Sequence, residues 1–147
     1  MKVQTVPTAS VVPYARNPRK NAGAVAKVAA SLREFGWRQP IVVDSEMVVV
    51  VGHTRLLAAQ QLGMAEVPVH VAEGLTANQI KAYRLADNRV HEEADWDDEL
   101  LALEISDLRD AGLDLALTGF DDDELARLTI EQTEGLTDPD DVPEPQA

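Results

Sequence analysis

The sequence contains no cysteine, which excludes disulfides, thiol nucleophiles and cysteine-ligated zinc. Its three histidines, His53, His70 and His91, are scattered without the spacing of metal ligands, so a structural metal site is not expected. No apolar run approaches the roughly twenty residues that a membrane span needs. The polar start Met1-Lys2-Val3-Gln4 lacks the apolar region of a secretory signal. A cytoplasmic protein with no membrane contact is expected. Basic residues are scarce in one part of the chain: residues 91 to 147 carry 2 Lys/Arg against 20 Asp/Glu, whereas residues 1 to 90 carry 11 against 6. The formal net charge of −13 therefore divides into a body at +5 and a remainder at −18. A mildly basic body suits an anionic ligand such as a nucleotide, while the acidic third argues against that part lying on a phosphate backbone. No internal repeat and no helix-turn-helix with a basic second helix is visible.

What is present centres on Val48-Val49-Val50-Val51-Gly52-His53-Thr54-Arg55-Leu56-Leu57-Ala58-Ala59. Four valines predict a buried strand, and Gly52 permits a tight turn with close backbone approach. Thr54 is the candidate first cap of a helix running to Leu62, closed by Gly63. An arginine in a helix's first turn opposes the macrodipole, so Arg55 sits badly unless an anion or a carboxylate lies in front of it. The free amides of that turn would grip the same anion. Spacing alone leaves the alternative open that Arg55 pairs with a structural acid.

Val3 to Val12 is a β-rich opening that leads into Tyr14-Ala15-Arg16-Asn17-Pro18-Arg19-Lys20-Asn21. Pro18 pushes Asn17 out of helical geometry, and the basic side chains sit on a loop, where binding residues are common. The alternative is a solvated basic turn. Val25, Val28, Ala29, Leu32 and Phe35 recur at helical spacing and Gly36 follows, which predicts a core-facing helix. Ile41 to Asp44 and Met47 to Val51, joined at Ser45-Glu46, predict a hairpin with Gln39 at its mouth. Val67 to Val71 predicts a further strand.

Thr76 and Gln79 stand in capping-box register and open a helix from Ala77 to about Val90. Ile80, Tyr83 and Ala86 are expected toward the core, with Lys81, Arg84 and Asn88 on an adjacent face. At its end Asp87, Asn88 and Arg89 bring together a carboxylate, an amide oxygen and a guanidinium, a set that could hold a hydrated Mg²⁺ and a phosphate. A surface acid and base without metal is the alternative. Beyond Asp95 the composition changes. Asp97 is expected to cap a helix ended by Gly112, Leu113 to Phe120 is an apolar link, Asp121 is expected to cap a second helix, and Glu134 to Ala147 reads as an acidic, proline-containing disordered linker.

Taken together, Asn17-Pro18-Arg19, Gln39-Pro40-Ile41-Val42-Val43, Gly52-His53-Thr54-Arg55 and Asp87-Asn88 resemble, in order and spacing, the ParB/sulfiredoxin superfamily over roughly residues 3 to 96. Gly52 to Ala59 stands where ParB proteins carry a Gly-Glu-Arg-Arg box, and Asp87-Asn88 where a Glu-Asn pair is usual. Leu85-Ala86-Asp87-Asn88, Trp96 to Leu101 and Leu117 to Asp121 are similar to the ParB-like domains found at the N-terminus of phage and prophage DNA methyltransferases.

The resemblance implies an α/β (α+β) fold, a small mixed sheet with flanking helices, over residues 1–96. An acidic helical extension at 97–130 and a disordered tail at 131–147 would follow, the tail leading toward a methyltransferase domain. It further implies a pocket for a nucleoside triphosphate, CTP or ATP, with Mg²⁺. In that pocket Gly52, His53, Thr54 and Arg55 would lie on the phosphates with Arg89, Gln39 near the base, Arg19 over the ligand, and Asp87 and Asn88 on the metal. His53-Thr54 replaces the acidic and basic pair of ParB, a departure that counts against a CTP-driven DNA clamp. The cysteine of sulfiredoxin has no counterpart. Related small-molecule kinases use a histidine-rich form of this turn, so phosphoryl transfer with His53 as the catalytic participant stays open. No nuclease metal cluster is visible. The expected role is an accessory module for DNA modification or mobile-element maintenance, with weak, non-specific DNA contact at most and with a methyltransferase domain, another protein or a second copy as partner. A nucleotide-dependent enzyme and a pure interaction module with a vestigial phosphate turn are the alternatives.

Overall fold

The computed structural model describes residues 1–16, 22–93 and 95–136. It divides into two units, residues 1–94 and 95–147. Mixed α/β architecture, expected from the alternation of valine-rich runs and helical periodicity, is what the first unit shows. Four strands, β1 (Gln4–Pro7), β2 (Ile41–Val43), β3 (Val49–Val51) and β4 (Glu66–Val71), form one sheet in the order β1-β4-β2-β3. β1 with β4 and β2 with β3 are antiparallel, whereas β2 runs parallel to β4. That parallel pairing needs a crossover, and α2 (His53–Gln61) lies within it.

Ile41, Val43, Val49, Val67 and Val69 meet Leu56 and Ala59 of α2 in one buried cluster. A second forms where α1 (Ala22–Phe35) sets Ala29 and Leu32 against Ala58. Because neighbouring strand residues point to opposite faces, burial of both Val49 and Val50 means that β3 is covered on both sides. Helix α3 (Ala77–Glu93) packs against β3.

The hairpin turn is closed by Asp44, whose Oδ1 accepts from the Glu46 and Val48 amides at 2.9 and 3.0 Å. Thr76 and Gln79 form the expected capping box: the Thr76 amide donates to Gln79 Oε1 at 2.8 Å, and the Gln79 amide to Thr76 Oγ1 at 3.2 Å.

Several expectations are corrected. Helix α2 begins at His53 with Gly52 as its cap, so Thr54 lies inside the first turn and does not cap it. Phe35 is 46% exposed, not part of the core face of α1. On α3 the inward face runs through Ile80 and Arg84, while Tyr83 and Ala86 are exposed. Spacing of four brings Ile80 and Arg84 onto one side, and the guanidinium is tolerated there because it finds partners.

In the second unit, α4 (Asp98–Asp110) is capped by Asp97, whose Oδ1 accepts from the Leu100 amide at 3.2 Å. It packs Ala102 and Ile105 against Leu128 of α5 (Asp122–Leu136). Between them, the stretch expected as a plain apolar link makes a 3₁₀ turn, Leu115–Thr118, started by Asp114. The Trp96 and Phe120 rings meet at a tilt of 57°, with 5.4 Å between their centroids. Helix α5 continues to Leu136, into the stretch 131–147 expected as the tail. Residues 137–147 lie outside the described residues. No helix among those described is long and apolar enough to cross a membrane.

Candidate functional site

The turn from β3 into α2 is built by one residue. Gly52 has φ 103° and ψ 26°, a left-handed conformation that side chains disfavour, and a Cβ there would stand 3.4 Å from the Ile41 Cα. The turn therefore lies directly against the start of β2. Its cap residue, Gly52, has no side chain to close the helix, and its first turn carries no acid. The first amides of a helix have no partner within its own ladder, so the start of α2 is a positive helix end with no carboxylate in its first turn. That arrangement suits an anion.

Arg55 is half-buried, and its Nη2 donates to Gln39 Oε1 at 2.6 Å. Two residues expected on different parts of a ligand are thus side by side, at the mouth of β2 and the start of α2. The partner is a neutral amide. Among the described residues, no carboxylate pairs with Arg55.

His53 opens α2 with its Nδ1 buried and without a hydrogen-bond partner among the described residues. Burial pushes its pKa below the usual 6.5, which keeps the imidazole neutral at pH 7. An orphaned ring nitrogen at the first position of a helix is a polar group in need of a partner.

Asp87 and Asn88 are half-buried on α3, and Arg89 is exposed. At spacings of three and four residues from Arg84, Asp87 and Asn88 share the inward face of α3. Their oxygens are hard donors of the kind Mg²⁺ takes. No group of three or more His, Asp or Glu side chains able to hold a metal occurs among the described residues, so a cation here would draw its remaining ligands from a bound phosphate and water. Arg19, with the rest of residues 17–21, lies outside the described residues. A groove of about 790 Å³ lined by Val42, His70, Glu73, Leu75, Tyr83 and others contains none of these side chains.

Residues 1–89 match the family model described as the ParB N-terminal domain. The chain belongs to this family. Residues 99–147 match the model described as the ParB-methyltransferase HTH domain. This stretch lacks the basic second helix by which a helix-turn-helix is expected from charge. Helix α5 has three acids in its first turn, so charge could not have revealed it.

Among relatives, the chain is 38% identical over 80 residues to the ParB-like nuclease domain-containing protein YnaK of Escherichia coli K12, covering 54% of this chain and 92% of that protein. It is 38% identical over 88 residues to a probable chromosome 2-partitioning protein ParB of Deinococcus radiodurans, covering 54% of this chain and 30% of that protein. The chain thus spans most of the first and under a third of the second. A ParB of Caulobacter crescentus complexed with CTP-γ-S has a similar fold, with a TM-score of 0.71 at 21% identity, over 96% of this chain and 90% of that one. The ParB N-domain of a pNOB8-like protein aligns with a TM-score of 0.54 at 22% identity, over 75% of this chain and 45% of that one.

Proposed function

We propose that this chain binds a nucleoside triphosphate, CTP or ATP, together with Mg²⁺, as an accessory module for DNA modification or mobile-element maintenance. The observation that carries the reading is the glycine-started, acid-free first turn of α2 at Gly52, with Arg55 poised on the Gln39 amide beside it. The Gly52 backbone and the His53 and Thr54 amides receive the phosphates. Arg55 exchanges its neutral partner for a phosphate oxygen, a stronger charge-assisted bond. Gln39 is then released toward the base, and Arg19 and Arg89 add positive charge. Asp87 and Asn88 would hold Mg²⁺, which would supply positive charge to the phosphates. The CTP analogue held by the Caulobacter crescentus neighbour supports the ligand class. The ParB-methyltransferase match of residues 99–147 supports the context in DNA modification. Since residues 91 to 147 carry 20 acids against 2 bases, direct contact of the chain with duplex DNA is weak and lost as salt rises.

A thermal-shift series with CTP, ATP and GTP, each with and without Mg²⁺, tests this. A ligand at about one hundred times its Kd stabilises by about 2.7 kcal/mol, so one nucleotide with Mg²⁺ should raise Tm by several degrees. Absence of any shift at millimolar nucleotide overturns the reading.

A further inference from the structure

The Gly52 turn and the Asp87-Asn88 pair stand on different elements, and one buried side chain links them. Arg84 on α3 is 9% exposed. Its Nε donates to the Val49 carbonyl at 2.9 Å, three residues before Gly52 on β3. Its Nη2 lies 3.9 Å from Asp44 Oδ2, at the turn that joins β2 to β3. Its guanidinium carbon sits 3.8 Å above the centre of the Tyr14 ring. The position itself, inward on a helix and one turn after Ile80, is one that an unbranched apolar side chain would fill without desolvating a charge. A guanidinium held there by a backbone carbonyl, a carboxylate and an aromatic face fixes where α3 sits along β3, because those contacts are directional and apolar packing is not.

We propose that Arg84 is a positioning residue for the nucleotide site. It sets the register of α3 on β3, and so the distance from Asp87 and Asn88, on its own helix face one turn later, to the phosphate turn at Gly52. The Tyr14 ring closes over the guanidinium and keeps water from competing for the Val49 carbonyl. The inference rests on the nucleotide reading for its ligand, but the mechanical coupling it asserts belongs to the empty protein.

The test compares wild type with Arg84→Met, which keeps length and apolar packing but removes all three polar links, with Arg84→Lys, and with Tyr14→Leu. Nucleotide titrations with and without Mg²⁺ are run well below the melting transition, and amide exchange is followed in the ligand-free proteins. Arg84→Met should weaken Mg²⁺-dependent binding at least tenfold and Mg²⁺-free binding less than threefold. Arg84→Lys, which can still donate to the Val49 carbonyl, should recover part of the loss. In the empty protein Arg84→Met should speed exchange at both Gly52–Leu56 and Asp87–Arg89. A purely structural arginine would move Tm and leave the Mg²⁺-dependent and Mg²⁺-free affinities in their original ratio, and that result overturns the proposal. Unchanged exchange at the two segments overturns it as well. If wild type binds no nucleotide, the nucleotide reading fails, and the exchange data alone decide whether Arg84 couples the two segments. Should Arg84→Met melt too low for titration, Tyr14→Leu, at a half-buried position, is held to the same criteria.

Discussion

Two arginines of the first unit are put to opposite uses. Arg55 stands at the start of α2 with its tip on an exposed glutamine amide. Arg84 is buried in α3, its Nε donating to a backbone carbonyl and its Nη2 beside a carboxylate, with an aromatic ring against the guanidinium. Arg55 faces the positive end of a helix dipole and has one neutral partner that it can exchange, so its charge is poorly satisfied in the empty protein. The charge of Arg84 is met on three sides. The same residue type is therefore a candidate ligand group in one place and an internal clamp in the other, and its partners decide which.

The comparison breaks first at Arg84. Arg84→Ala should lose about 2 to 4 kcal/mol of stability, because a cavity opens and the Val49 carbonyl loses its buried donor. Urea denaturation of the empty protein measures this, and a loss under about 1 kcal/mol would place Arg84 with Arg55 as a dispensable surface charge.

Next in size is Gly52→Ala, which forces a Cβ into left-handed backbone and against β2. A cost of about 1 to 3 kcal/mol is expected, together with weaker nucleotide binding as the turn shifts. Stability equal to wild type would mean that the turn relaxes freely and is not held for a ligand.

A smaller effect comes from His53. Its pKa in the folded protein is lowered by burial, so the unfolded chain binds the proton more readily. Its contribution to stability is full above about pH 6.5 and is lost as pH falls from there through the folded value. Denaturation midpoints between pH 7.5 and 5.5 should fall more steeply in wild type than in His53→Gln, and parallel slopes would show that the ring is not desolvated.

The smallest effect sharpens the contrast. Arg55→Ala should change the stability of the empty protein by no more than about 0.5 kcal/mol, since relief of the unfavourable dipole contact offsets one exposed hydrogen bond. The same variant should lose most of the stabilisation by nucleotide and Mg²⁺. A loss above about 2 kcal/mol without ligand would be the mark of a buried ion pair and would make both arginines structural.

Legibility followed the range of the interactions. The hairpin, the Thr76–Gln79 box, the Asp97 cap and the glycine stop after α2, where Gly63 has φ 69°, were readable because each depends on residues within a few positions of one another. The α/β class followed from the same local periodicities, and the order of four weak motifs pointed to the family. The Gly52 turn was also legible, since a glycine between a valine run and a helix has few other uses. The inward face of α3 was misread because the pattern treats an arginine as a surface residue, and nothing local to Arg84 announces Tyr14 or Val49.

The amino-acid sequence by itself determined the hairpin turn at Asp44, the Thr76–Gln79 box and the Asp97 cap, through turns and spacing that act over one to four residues. Tertiary structure alone decided that Gly52 and not Thr54 caps α2, because the turn must lie against Ile41. It decided that Arg55 meets Gln39 across sixteen residues, and that Arg84 turns inward to a carbonyl thirty-five residues away. A buried charge is stable only where the fold supplies its partners, and those partners come from strands and loops that the chain brings together only when it folds.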